Sequence, residues 1–371
     1  MKRTINYILL LLAAGCMISY CEEADSTFKE FIVTGGLVYP GRATLPVAHS
    51  GKYKVLLTWL RGTDPTVTNA RVYWDNYTDS IDVSISPGQD TIKVLIDDLV
   101  EKPYSFQIVT FDKDGNASVP VELLSAAYGD EYQSRLLSRP LNLIVLNVND
   151  TVTLEWGSAD IANGAVFTEV RYTDINGETR TDQYPTSEET TLLTTLKPGV
   201  GKFIYRTVFL PDSLSIDTFY TEFEESGKFA FDKEDWDIID FSSEHPGASN
   251  TVWNVIDGTD GTRWHSHAGP SRYPHHVTID MGGLRTITYF GVWRTTFENG
   301  GDKRAPDKIQ FLTSLDNVTW TDMGIFDFNR FINGEQLFEM PEGTEARYFK
   351  LVGVEGPENN FVLGEISAYG M

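Results

Sequence analysis

The chain has 371 residues, 41% of them hydrophobic and 12% aromatic, which is enough material for packed cores in two or three domains. A formal net charge of −23 excludes nucleic acid as a partner, because phosphate binding needs basic patches. The only cysteines are Cys16 and Cys21, so no disulfide scaffold holds the domains that follow them.

Residues 1–21 read as an export signal and anchor region. Lys2 and Arg3 precede an apolar run from Ile8 to Ala14, far shorter than the roughly 20 residues a helical span needs. "AAGC" ending at Cys16 and "ISYC" ending at Cys21 both resemble the lipobox of bacterial lipoproteins. Cys21 is the preferred attachment site, with Cys16 as the alternative, because the "EEAD" after Cys21 resembles the acidic tract of outward-facing lipoproteins. That resemblance implies a protein exported and lipid-anchored to the outer membrane, facing the exterior.

Residues 22–130 and 131–228 carry short alternating runs between turn signals and no long amphipathic helix, an all-β pattern. "KVLLTWL" places Val55, Leu57 and Trp59 on one face, and "TVTLEWGS" does the same with Val152, Leu154 and Trp156. Trp59 precedes Tyr104 by 45 residues and Trp156 precedes Phe203 by 47, spacings that suit seven-strand sandwiches. The two units resemble fibronectin type III-like modules of an uncharacterised bacterial surface lipoprotein family, and no activity follows from that. "FDKDGNAS" (Phe111 to Ser118) has the start of a calcium loop but lacks its closing glutamate, so it reads as a hairpin turn. The polar stretch Glu224 to Asp235 reads as a linker.

Residues 229–371 hold many short strands without an internal repeat, which suits one jelly-roll sandwich. "SSEHPGASNTVWNVIDGTDGTRWHS", "YPHHVTIDMGG", "FLTSLDNVTWTDMG", "ARYFKLVGV" and "GEISAYG" follow one another in the order of the discoidin family. This region resembles that family, also called the coagulation factor five/eight type C domain, and its family 32 carbohydrate-binding branch. The fold expected is therefore all-β: two fibronectin III-like sandwiches, then a galactose-binding-like jelly roll.

"NVIDGTDGT" offers acidic and hydroxyl oxygens on a loop that two glycines allow to turn tightly. The resemblance implies a structural calcium ion there. It would be held by backbone oxygens of Asn254, Thr259 and Gly364 and side-chain oxygens of Asp257, Thr262 and Glu365. His265, His267, His275 and His276 fall within twelve residues. Adjacent histidines on a strand face opposite ways, so at most three converge and zinc is disfavoured. There is no Gly-x-Ser-x-Gly elbow.

Sugars are held by planar donors and acceptors plus an aromatic face. The resemblance implies that His265, directly after Trp264, and Arg294, ending the next strand, contact a sugar. His267 lies on the same side as His265 if extended. Ala268 stands where the family often has a stacking tryptophan, so Tyr273, Phe297 or Phe361 would have to supply the ring, with Asn359 and Asn360 adding amides. Trp264, Trp320 and His276 are assigned to the core. The function expected is non-catalytic capture of a glycan or polysaccharide at the cell surface, with protein–protein adhesion within an outer-membrane complex as the alternative. No organic or redox cofactor is expected.

Overall fold

The computed structural model describes residues 36–197, 202–297 and 303–370; the export signal with Cys16 and Cys21 lies outside them. It divides into two compact units between Gly129 and Asp130.

The first unit is built from β1 (Thr44–Lys52), β2 (Lys54–Leu60), β3 (Val67–Trp74), β4 (Asp79–Ser84), β5 (Thr91–Ile96), β6 (Lys102–Asp112) and β7 (Val121–Tyr128). The ladder runs β4-β3-β6-β7-β1-β2-β5, with β7 parallel to β1. The period-two alternation of β2 and β5 turns Val55, Leu57, Trp59, Ile92, Val94 and Ile96 inward onto Phe106 and Ile108 of β6. The ladder thus folds on itself as a sandwich. In "FDKDGNAS", the Asp112 carboxylate accepts from the backbone N–H groups of Asp114 and Asn116 at 3.0 and 2.9 Å, closing the turn.

In the second unit, β8 (Leu141–Leu146), β9 (Val152–Trp156), β10 (Ala165–Thr173), β11 (Thr179–Pro185), β12 (Thr190–Leu193), β13 (Ile204–Phe209), β14 (Phe219–Tyr220) and β15 (Glu224–Glu225) come first. One layer is β11-β10-β13-β14, with β15 also on β13; the other contains β12-β9-β8. Trp156 packs edge-on to Tyr205 at 5.5 Å between them. The stretch read as a linker is structured instead. After β15 it forms β16 (Phe229–Phe231), which pairs parallel with β8 and antiparallel with the last strand of the chain. Phe229 and Phe231 are both 3% exposed. The second sandwich and the C-terminal domain therefore share one sheet.

The C-terminal domain adds β17 (Asp237–Phe241), β18 (Trp264–His265), β19 (His275–Trp293), β20 (Lys308–Ser314), β21 (Thr321–Asp327), β22 (Glu335–Glu355), β23 (Val362–Leu363) and β24 (Glu365–Gly370). The shared sheet runs β12-β9-β8-β16-β24-β19-β22-β20-β21. β19 and β22 are long because each turns a corner of the jelly roll, with the register broken between Asp280 and Arg285. Gly282 sits at the corner with φ +77°, where a Cβ would meet Asp235 at 2.7 Å. Arg347 grips Asp280 there with two bonds, at 2.9 and 2.8 Å. Inside, Phe290 stacks on Phe311 at 4.4 Å and meets Phe349 at 4.7 Å. Asn317, in the turn between β20 and β21, adopts φ +58°, which asparagine tolerates better than most residues. Trp320 is not core: it is partly exposed under the Lys350 ammonium, 5.0 Å from its ring.

Candidate functional site

The two-residue strand β18 places Trp264 inward and pairs with β23, His265 opposite Val362. Trp264 is fully buried, donates from Nε1 to the Ser243 carbonyl at 2.9 Å, and meets the Phe361 ring edge-on at 5.1 Å. Phe361 is therefore a core residue, not a platform for sugar: it is 0% exposed, and its backbone N–H and C=O both bond Ser266. Tyr273 also turns inward, its ring 4.8 Å from His275 and 6.4 Å from Phe361. Its hydroxyl is buried without a hydrogen-bond partner, and burial pushes its pKa up. Phe297 is the candidate ring that stays exposed, at 52%, with the Arg263 guanidinium 4.9 Å from its centre.

His265 is 5% exposed. Burial lowers its pKa, and the neighbouring Arg304, Arg263 and His245 lower it further against a bond to the Ser266 carbonyl. The ring is neutral at pH 7. Its Nδ1 lies 2.5 Å from the Ser266 carbonyl, so the proton sits on Nδ1 and Nε2 is left as an acceptor. Nε2 faces the Asn360 amide nitrogen at 3.5 Å. His245, from the "SSEHPG" segment, was not singled out in the sequence; its ring lies 5.1 Å from His265 and 5.7 Å from His267. His245 Nδ1 accepts from the Ala268 N–H at 3.2 Å, which fixes its orientation. His267 Nδ1 lies 3.0 Å from the Ala268 carbonyl.

The arginine beside His265 is not the expected one. Arg294 turns away, donating from Nε to the Ile332 carbonyl at 3.2 Å and from Nη2 to Asn333. Arg304 is placed instead: its carbonyl accepts from Val362 N–H at 3.0 Å, and Val362 is the register partner of His265. Arg304 pairs with Glu358 at 3.6 Å. The remaining histidines separate as adjacent strand residues must. His275, not His276, is the buried one, at 1%, with Nε2 donating to the Asn359 carbonyl at 2.8 Å. His276 bonds Asp240 at 2.9 Å with 30% of its side chain exposed.

The Asp-Gly loop gathers oxygens around one hydroxyl. Thr262 Oγ1 lies 2.7 Å from Asp257 Oδ2, 3.3 Å from the Thr259 carbonyl and 3.4 Å from the Asn254 carbonyl. A hydroxyl has one proton, so three converging acceptors exceed what it can satisfy. Glu365, 4% exposed, closes the loop by accepting from Gly258 N–H at 3.2 Å. Burial pushes Glu365 up to about 7 against the opposing pull of the Lys233 ammonium, which pairs with its other oxygen. Gly364 packs on the Arg294 backbone, 2.9 Å from where its Cβ would stand. This surplus of acceptors fits a hard oxygen-seeking cation. Among the described residues no cluster of three His, Cys, Asp or Glu side chains suits a metal, so such a site would have to combine the two carboxylates of Asp257 and Glu365 with carbonyl and hydroxyl oxygens.

Residues 239–365 match the F5/8 type C domain family. Over 123 residues the chain is 33% identical to a sialidase of Micromonospora viridifaciens, a match that covers 32% of this chain and 18% of that protein. The chain thus spans under a fifth of that relative's length. Among solved structures it resembles the C-terminal domain of a chitobiase from Bacteroides fragilis, at 25% identity and TM-score 0.35, covering 38% of this chain and 97% of that one. It also resembles a family 32 carbohydrate-binding module of Clostridium perfringens in complex with galactose, at 17% identity and TM-score 0.34, covering 38% and 98%. Residues 21–219 match DUF4998, a domain of unknown function, over more than half of the chain. The chain belongs to the DUF4998 family, and its C-terminal domain is an F5/8 type C domain.

Proposed function

We propose that the C-terminal domain binds a glycan without catalysis, as the head of an exported, lipid-anchored surface protein that captures polysaccharide. The observation that carries this reading is the pairing of a neutral His265, its Nε2 an acceptor, with the Asn360 amide on the adjoining segment. A sugar hydroxyl donates and accepts at once, and this pair, with Arg304 beside it, offers both roles from planar groups. The F5/8 type C match and the similarity of that domain to part of a sialidase agree with a sugar ligand. Phe297 supplies an exposed ring at the rim of the same domain.

Calcium, when bound, would neutralise the carboxylates of Asp257 and Glu365. The backbone oxygens of Asn254, Thr259 and Gly364 and the side chains of Asp257, Thr262 and Glu365 would hold it, and the loop would be pinned to β24. Lipid attachment at Cys21, or at Cys16, would tether the chain to the outer membrane, and repeated weak contacts along a polymer would raise its avidity.

A glycan array probed with the full chain, its His265→Ala and Asn360→Ala variants and its Arg294→Ala variant tests the reading. Retention of at least one glycan by wild type and Arg294→Ala, with roughly tenfold loss in the other two, supports it. Equal retention by all four, or by none, contradicts it. A second reading, docking to a protein surface, draws on exposed Phe297, Phe331 and Ile332, whose loops Arg294 ties together. Replacing Phe331 and Ile332 with Ala would abolish binding on that reading and leave His265-dependent glycan retention intact on the first.

A further inference from the structure

The sheet shared by the second sandwich and the C-terminal domain has an outer face that is not ordinary solvated surface. On β19, Phe290 and Val292 point to the core, so Tyr289, Gly291 and Trp293 point outward. On β24, Glu365, Ser367 and Tyr369 point the same way, since Trp293 pairs with Glu365, Gly291 with Ser367 and Tyr289 with Tyr369. Ser367 of β24 and Ala230 of β16 are the small residues that line the larger cavity on this face. A side chain at Gly291 would collide with Glu335 and the Tyr369 ring. Leu143 and Val145 of β8 form the far wall.

The result is a groove of two adjoining cavities, about 510 and 250 Å³, which share Leu143 and Tyr369 as lining residues. Trp293 lines the larger one and is partly exposed. Trp293 and Tyr369 stand four residue steps apart along paired strands, roughly 13 Å. That distance exceeds one sugar ring. Polar groups alternate with the rings: Asp232, Asp260, Glu365 and Ser367 in the larger cavity, Glu335 and Lys228 in the smaller. Carboxylates outnumber the lysines, Lys233 and Lys228, and Lys233 is already paired with Glu365. The charge disfavours an anionic polymer, and the mixture of rings and acceptors is too polar for an apolar protein face.

We infer that this groove binds a segment of a neutral glycan chain, two or more sugars long, stacked on Trp293 and Tyr369, as a site separate from the His265 site. The β8 wall makes the second sandwich part of the binding surface. The inference does not depend on the His265 reading.

The test is native affinity electrophoresis of the full chain in gels cast with arabinogalactan, galactomannan, hydroxyethylcellulose or polygalacturonate. Wild type, Trp293→Ala, Leu143→Asp and His265→Ala are run together. Leu143 is 38% exposed, so its substitution alters the far wall without a core cost and guards against misfolding of the tryptophan variant. The expected result is retardation of wild type in at least one neutral gel and none with polygalacturonate. Trp293→Ala and Leu143→Asp should each weaken it about tenfold, with His265→Ala still retarded. Loss in His265→Ala alone overturns the groove and leaves the His265 site standing. Loss in the groove variants alone supports the groove, and the glycan array then decides the His265 site separately. Retardation only by polygalacturonate, or in no gel, overturns the groove.

Discussion

Phe231→Ala is the sharpest probe of the shared sheet. Phe231 is 3% exposed at the middle strand between β8 and β24, and its ring lies 2.7 Å from where a Cβ on Gly370 would stand. The Arg285 guanidinium covers it at 5.7 Å. Phe231 belongs to the buried hydrophobic cluster, and its strand is held in ladders on both sides, so the site collapses little when the ring is removed. Truncating a buried phenylalanine of this kind costs about 3–5 kcal/mol. For a unit of this size that corresponds to roughly 10 °C in Tm. The assay is hydrogen exchange followed by mass spectrometry, comparing peptides from β9–β10 with peptides from β19–β22. Both sets should lose protection together, by a similar free energy, because one sheet carries both. Loss of protection confined to β19–β22, with β9–β10 unchanged, would refute the claim that the two sandwiches stabilise each other.

Three further outcomes are expected. Millimolar calcium should raise the Tm of wild type and not of a chain carrying Asp257→Ala and Thr262→Val; an equal rise in both, by differential scanning calorimetry, would remove the metal from the loop. Phe361→Ala should cost about 3–5 kcal/mol by urea denaturation, whereas exposed Phe297→Ala should stay within about 0.5 kcal/mol; comparable losses would contradict their placement. Burial holds the pKa values of His265 and His275 below the ordinary histidine range. The unfolded chain therefore takes up protons first as pH falls through about 6.5, and their contribution to stability is complete above that pH and lost below it. Each can add a slope of up to about 1.4 kcal/mol per pH unit. A His275→Gln variant should lose stability less steeply than wild type between pH 6.5 and 5, and an identical slope would contradict the assignment.

The cores were legible because alternation is local. Val55, Leu57 and Trp59, or Val152, Leu154 and Trp156, can be assigned to one face without knowing their partners. Trp264 was legible for the same reason, and the oxygens around Thr262 follow from a short contiguous loop. Phe361 and Tyr273 were misread because their burial depends on a pairing between β18 and β23 that lie nearly a hundred residues apart. Turn residues around each suggested exposed loops, and nothing nearby announced the register. Arg304 was missed on the same ground: its backbone bonds Val362, the strand partner of His265, which lies far from it in sequence. The polar flanks of "KFAFD" hid β16, although Phe229 and Phe231 two residues apart carried the period of a strand.

The most direct test of glycan binding at His265 is an NMR titration of the full chain with the best-retained glycan from the array, observing the imidazole nitrogens. The account predicts a saturable shift of the His265 Nε2 resonance, absent in Asn360→Ala, while the buried His275 is unmoved. A saturating glycan that leaves His265 unshifted would contradict it.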